Sequence, residues 1–114
     1  MKQRYQIDYI EFPSTSLQES KRFLVEAFGW SFTGYGPGYE AIDDAGIGAG
    51  IDGGSAPPAA PLAVIRTDDL ELAEREVLAA GGVITKPAFE FPGGRRFHFR
   101  EPGGTELAVW IERA

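Results

Sequence analysis

Few side chains in this sequence carry reactive chemistry. There is one histidine, His98, and no cysteine. Thiol nucleophiles, zinc ribbons, haem attachment and a two-His-one-carboxylate metal triad are therefore excluded together. An imidazole moves protons near neutral pH. Glu11 and Glu106 are the carboxylates that would fix its tautomer and raise its proton affinity. His98 lies in Arg95-Arg96-Phe97-His98-Phe99-Arg100, where strand alternation sends Phe97 and Phe99 to one face and Arg96, His98 and Arg100 to the other. The same rule sets Leu107, Val109 and Ile111 against Glu106, Ala108 and Trp110, and Ile10 and Phe12 against Tyr9 and Glu11. Leu62, Val64 and Arg66 are assigned to the polar face of a strand that is apolar on both sides. The plain alternative is a sheet whose outer face is simply wet, with Arg96 and Glu106 as a solvated cross-strand pair and His98 as a structural imidazole.

Positioning these groups requires a fold, and the composition allows one. The chain has 114 residues, 43% hydrophobic and 25% charged, enough for a single core without disulfide staples. Eleven Lys and Arg against 17 Asp and Glu give a net charge of -6, which disfavours nucleic acid and anionic lipid as partners. No apolar run approaches the roughly 20 residues of a membrane span, and Met-Lys-Gln-Arg-Tyr-Gln is too polar to open a signal peptide. A cytoplasmic protein is expected.

Slid along itself by about half its length, the chain repeats a βαβββ pattern. The first half reads as strand Tyr5–Phe12, helix Ser16–Phe28 and strands Trp30–Tyr35, Tyr39–Asp43 and Ile47–Ile51. The second reads as strand Pro61–Arg66, helix Asp69–Ala80 and strands Val83–Lys86, Arg95–Arg100 and Thr105–Glu112. Ser16-Leu17-Gln18-Glu19 has the form of a capping box, with Leu17, Leu24, Ala27 and Phe28 at helical spacing and Gly29 as the stop. Asp68-Asp69 opens the second helix, whose stripe is Leu70, Ala73, Val77 and Ala80. The Gly/Pro-rich stretch Asp52–Ala60 reads as a linker, giving modules over about 5–52 and 61–113 with 53–60 between them. Glu101-Pro102-Gly103-Gly104 reads as a hairpin turn. Gly46-Ile47-Gly48-Ala49-Gly50 precedes the linker instead of opening a helix, so it marks a bulge or a close backbone approach and not a nucleotide loop.

The expected fold class is α+β, and tandem βαβββ modules closing on Arg100-Glu101-Pro102-Gly103-Gly104-Thr105-Glu106-Leu107 resemble the vicinal oxygen chelate superfamily of glyoxalases, bleomycin-resistance proteins and dioxygenases. Ser16-Leu17-Gln18-Glu19-Ser20-Lys21-Arg22-Phe23-Leu24 and Phe28-Gly29-Trp30 are similar to its first-helix motif, and Glu101-Pro102-Gly103-Gly104 to its Asp-Pro-x-Gly turn, with Ser16 and Glu101 in place of aspartates. The resemblance implies curved mixed sheets around a cup with the helices outside. It also implies a homodimer, and a metal held at positions that fall here on Tyr9, on Leu62 or its neighbour Pro61, on Ala108, and within Ala45–Ile51. None of these offers a carboxylate or imidazole, so the chain is similar to a branch without the metal site, and no metal and no cofactor are expected.

On this resemblance the polar faces line the cup, with Tyr9, Leu62, Val64, Ala108 and Trp110 as apolar walls and Glu11, Arg96, His98 and Glu106 as polar groups. That is the make-up of a small-molecule site. The functions that follow are a metal-independent binding protein for an aromatic or amphipathic ligand, or a lyase or isomerase in which His98 works with Glu11 or Glu106. A third reading is a dimerisation module whose cup is filled by side chains.

Overall fold

A computed structural model describes residues 5–55 and 57–114. Ala56 of the linker and the first four residues of the polar opening lie outside the described residues. The order of elements is β1 (Gln6–Pro13), α1 (Leu17–Phe28), β2 (Phe32–Gly34), β3 (Tyr39–Ile42), β4 (Gly48–Asp52), β5 (Leu62–Arg66), α2 (Leu70–Ala79), β6 (Val83–Phe91), β7 (Gly94–Arg100) and β8 (Glu106–Glu112). This is the α+β pattern of two tandem βαβββ modules. Two compact units result: residues 9–62, and residues 63–114 together with 5–8.

In the first unit β1 runs parallel to β4, with Glu11 opposite Gly50, and β4, β3 and β2 continue antiparallel. Ile42, Ala49 and Ile51 are its buried core, and Ile10, Phe12, Leu17 and Leu24 pack on them. The expected inward set of α1 is only half realised: Leu17 and Leu24 reach the core, but Phe28 is 60% exposed and leans on Trp30 with ring centroids 5.3 Å apart. Ser16 takes the N-cap position with extended backbone, but its side chain makes no capping bond. Ser14 takes the part expected of Glu19: its Oγ accepts the Ser16 N–H at 3.0 Å and pairs with Ser20 Oγ at 2.6 Å, while Glu19 turns to Arg22 instead of reaching back. The capping box is thus not formed. Gly29, at φ 71°, closes the helix as expected.

The second unit repeats the arrangement. β5 runs parallel to β8, and β8, β7 and β6 are antiparallel. Leu70, Ala73, Phe97, Phe99 and Val109 form its core, with Val77, Leu107 and Ile111 packed against them. Ala80, expected in the stripe, is the exposed C-cap. Asp69 caps α2, its Oδ1 accepting the Leu72 N–H at 3.1 Å.

β6 departs most from the sequence reading, running to Phe91 instead of stopping at Lys86. It is the edge of its four-strand set, and its register against β7 shifts between Ile84 and Lys86 and again between Lys86 and Phe89. At such irregularities on an edge a proline costs no ladder bond, which is why Pro87 does not end the strand.

In the closing turn Glu101 stands where the resemblance expects an aspartate. Glu101 Oε2 accepts the Thr105 N–H and Oε1 the Gly103 N–H, both at 2.8 Å. These bonds, Thr105 first, hold the Glu101 carboxyl below the ordinary carboxylate range. A depressed folded-state pKa gives stability that is present above the unfolded value and lost as pH falls through the folded one. The Gly103 and Thr105 amide resonances are therefore expected to shift together on acidification, at a pH below that of an ordinary glutamate. In Glu101→Gln neither should titrate.

Candidate functional site

The face of the second module's sheet opposite α2 is set by register. Val64 lies beside Ala108 and Ala108 beside His98; Arg66 lies beside Trp110, Trp110 beside Arg96 and Arg96 beside Phe89. Strand alternation thus brings Val64, Arg96, His98, Glu106, Ala108 and Trp110 to one face, as the sequence indicated. Ala108, Leu62 and Val64 are buried, at 0%, 1% and 2% exposure. Arg96, Glu106 and Trp110 are half-buried.

Cations and rings alternate across this face. The Arg66 guanidinium lies 5.2 Å from the Trp110 ring centre, and Trp110 is 6.3 Å from Phe91. Arg96 sits between Phe91 at 5.6 Å and Phe89 at 5.5 Å. Phe89 in turn meets the His98 ring at 5.8 Å and the Lys86 ammonium at 5.1 Å. Each cation–ring contact contributes about 0.5–1 kcal/mol where solvent reaches it, but the larger effect is to hold flat groups in fixed orientations. The Trp110 indole N–H donates to Asp8 Oδ1 at 3.0 Å, which fixes the ring further.

His98 is 5% exposed, and its Nδ1 lies 3.6 Å from Glu106 Oε2, the same oxygen that accepts the Thr85 hydroxyl at 2.8 Å. At 3.6 Å the contact is an ion-pair distance for a protonated imidazole and too long for a hydrogen bond. Phe89, Phe91, Thr85 and Asp8 were missed by sequence reasoning. The signal that could have found the two phenylalanines is their spacing of two before the Pro92-Gly93-Gly94 turn, which continues the alternation of β7 back into β6.

Tyr9 and Glu11 belong to the other unit, where they share the sheet face opposite α1 with Tyr39. The Tyr9 and Tyr39 hydroxyls are hydrogen-bonded to each other, and Tyr39 donates to Glu11 Oε1 at 3.2 Å. Glu11 is 2% exposed. Burial, and then the Glu11 carboxylate, push the Tyr39 phenol far above its usual range, so it stays protonated. The two phenols meet over Gly50: a Cβ there would overlap both hydroxyl oxygens. This is the close approach that the glycine-rich strand indicated.

The positions at which the resemblance expects a metal do not supply what a divalent ion needs. Leu62 and Ala108 carry no donor atom, and the Tyr9 hydroxyl is bound to Tyr39. Among the described residues no three His, Asp or Glu side chains gather into a possible metal site.

The family model for the Glyoxalase/Bleomycin resistance protein/Dioxygenase superfamily matches residues 6–109, and the chain belongs to this superfamily. Its fold is similar to that of a superfamily member from Vibrio splendidus 12B01, at TM-score 0.70 and 13% identity over 96% of this chain and 99% of that one.

 The fold is also similar to that of a methylmalonyl-CoA epimerase from Mycobacterium tuberculosis, at TM-score 0.72 and 11% identity over 95% of this chain and 88% of that chain. A third similar structure is described as an NAD-dependent benzaldehyde dehydrogenase from Legionella pneumophila, at TM-score 0.74 and 12% identity over 92% of this chain and 98% of that chain. At such identities the likeness is one of fold. No curated protein matches the chain in sequence. Among the described residues no helix is long and apolar enough to cross a membrane.

Proposed function

We propose that this chain is a metal-independent small-molecule binding protein, similar to the bleomycin-resistance members of its superfamily, and that it holds an aromatic or amphipathic ligand against the open face of the second module. The observation that carries this reading is the alternation of Arg66, Trp110, Phe91, Arg96 and Phe89 across one sheet face. Rings held in place by neighbouring guanidinium groups offer a flat ligand stacking surfaces, and Arg96 and His98 orient its polar end. A homodimer in the cytoplasm is part of the same proposal, and the exposed rings of Phe23 and Phe28 are the kind of surface a second copy covers.

The test is thermal unfolding against planar aromatic compounds, including 2-naphthol and 2-naphthoate, before and after treatment with a chelator. A ligand at about 100 times its Kd stabilises by about 2.7 kcal/mol. The shift should be the same in chelated protein, and a shift that needs added Mn²⁺, Ni²⁺ or Zn²⁺ would overturn the metal-independent reading.

A second reading is favoured by one contact, the buried His98 with Nδ1 3.6 Å from Glu106 Oε2. In a lyase or isomerase this imidazole would take a proton from the substrate, and Glu106 would stabilise the imidazolium so formed.

A further inference from the structure

The row of rings and cations on the open face of the second module has a cation at each end, and the two ends differ. At one end the Arg66 guanidinium is tied to the Glu112 carboxylate at 2.6 Å. At the other, the exposed Lys86 ammonium lies 5.1 Å from the centre of the Phe89 ring and, among the described residues, forms no ion pair. The irregular register of β6 puts it there. Lys86 lies opposite His98, and the shift that follows brings Phe89 opposite Arg96, so both side chains share the face. The acids on and around this face are engaged with other groups. Glu106 Oε2 accepts the Thr85 hydroxyl at 2.8 Å and stands 3.6 Å from His98 Nδ1. Asp8 accepts the Trp110 indole N–H. Glu90, on β6 itself, lies opposite Arg95, and alternation sends it to the other face. The Phe89 ring orients the Lys86 ammonium without neutralising it.

We propose that the ligand of this face is an aromatic acid in its ionised form, with its ring stacked on the aromatic row and its anionic group at Lys86. The inference rests on the aromatic reading above for the ring, and on the difference between the two ends of the row for the charge. At the Arg66 end an incoming anion would meet Glu112 as well as the guanidinium, so like charge offsets the attraction there. At Lys86 it meets an ammonium with three N–H donors and no acid paired to it. A neutral molecule of the same shape gains nothing from that contact. The preference also runs against the molecule as a whole, whose net charge of -6 repels anions, so its source has to be local.

The experiment is a fluorescence titration of the full chain with 2-naphthoate and with 2-naphthamide, which share a ring system and a shape and differ in charge. The wild-type chain is expected to bind 2-naphthoate about fivefold more tightly at low salt, with the preference shrinking as added salt screens the ammonium. Lys86→Gln should bring the two affinities together by weakening 2-naphthoate while leaving 2-naphthamide unchanged. Lys86→Glu should turn the preference round in favour of the amide, a reversal that loss of packing against Phe89 would not produce. Equal affinities or tighter binding of the amide in the wild-type chain, or an undiminished preference in Lys86→Gln, would overturn the inference and leave the aromatic reading standing. If the wild-type chain bound neither compound, both would fall.

Discussion

Gly50→Ala is expected to destabilise the chain by about 2–3 kcal/mol, the upper part of the range for forcing extra carbon into a filled space. The new methyl group would overlap the hydroxyl oxygens of Tyr39 and Tyr9 and crowd the Tyr39 ring. Rigid backbone lies behind it, since Gly50 is paired with Glu11 on β1 and with Ala41 on β3. The phenols must therefore move, and in moving they withdraw the Tyr39 donor from a carboxylate that is 2% exposed. Part of the loss comes from this buried polar group and not from the clash. Urea denaturation separates the two contributions. Tyr9→Phe and Tyr39→Phe together remove both overlapping oxygens, so Gly50→Ala should cost markedly less in that background than in the wild-type chain. Additive losses would show that the methyl group is accommodated in some other way.

Gly50 also shows how the sequence announces a site without describing it. The glycine-rich strand signals a close approach, but the two residues that approach are Tyr9, on β1, and Tyr39, on β3, and nothing local to either points to the other. Their meeting is a product of register, with β1 parallel to β4 and β4 antiparallel to β3. The faces of β1, β7 and β8 are legible for the opposite reason. Alternation is a property of each strand alone, so Phe97, Phe99 and Val109 reach the core and Arg96, His98 and Trp110 the other face as expected. The repeat is legible because each module carries its own helix stops and turns. Phe89 and Phe91 are lost to sequence reading at Pro87, a residue that ends a central strand but is tolerated on the irregular edge strand β6. The capping box fails for a related reason. Its residues have the right types, but Ser14 lies close enough to take the Ser16 N–H first.

Trp110→Ala is expected to weaken binding of an aromatic ligand by about a hundredfold, in the range of 2–4 kcal/mol that a buried aromatic anchor contributes. Its ring joins Phe91, at 6.3 Å, to the Arg66 guanidinium, at 5.2 Å. Removing it also leaves Asp8 without the indole donor. Isothermal titration with 2-naphthoate reads the effect directly, and a change of less than about threefold would count against the face as the ligand site. His98→Gln separates the two readings of that face. Glutamine keeps a polar group of similar reach but takes up no proton at neutral pH. If His98 only orients a ligand, the variant should lose about tenfold in affinity and nothing else. If His98 is an acid–base group supported by Glu106, turnover of any substrate should fall by about a hundredfold or more while affinity stays close to that of the wild-type chain. Affinity and turnover therefore move in opposite combinations under the two readings, because only proton transfer requires the imidazole to change its charge beside Glu106.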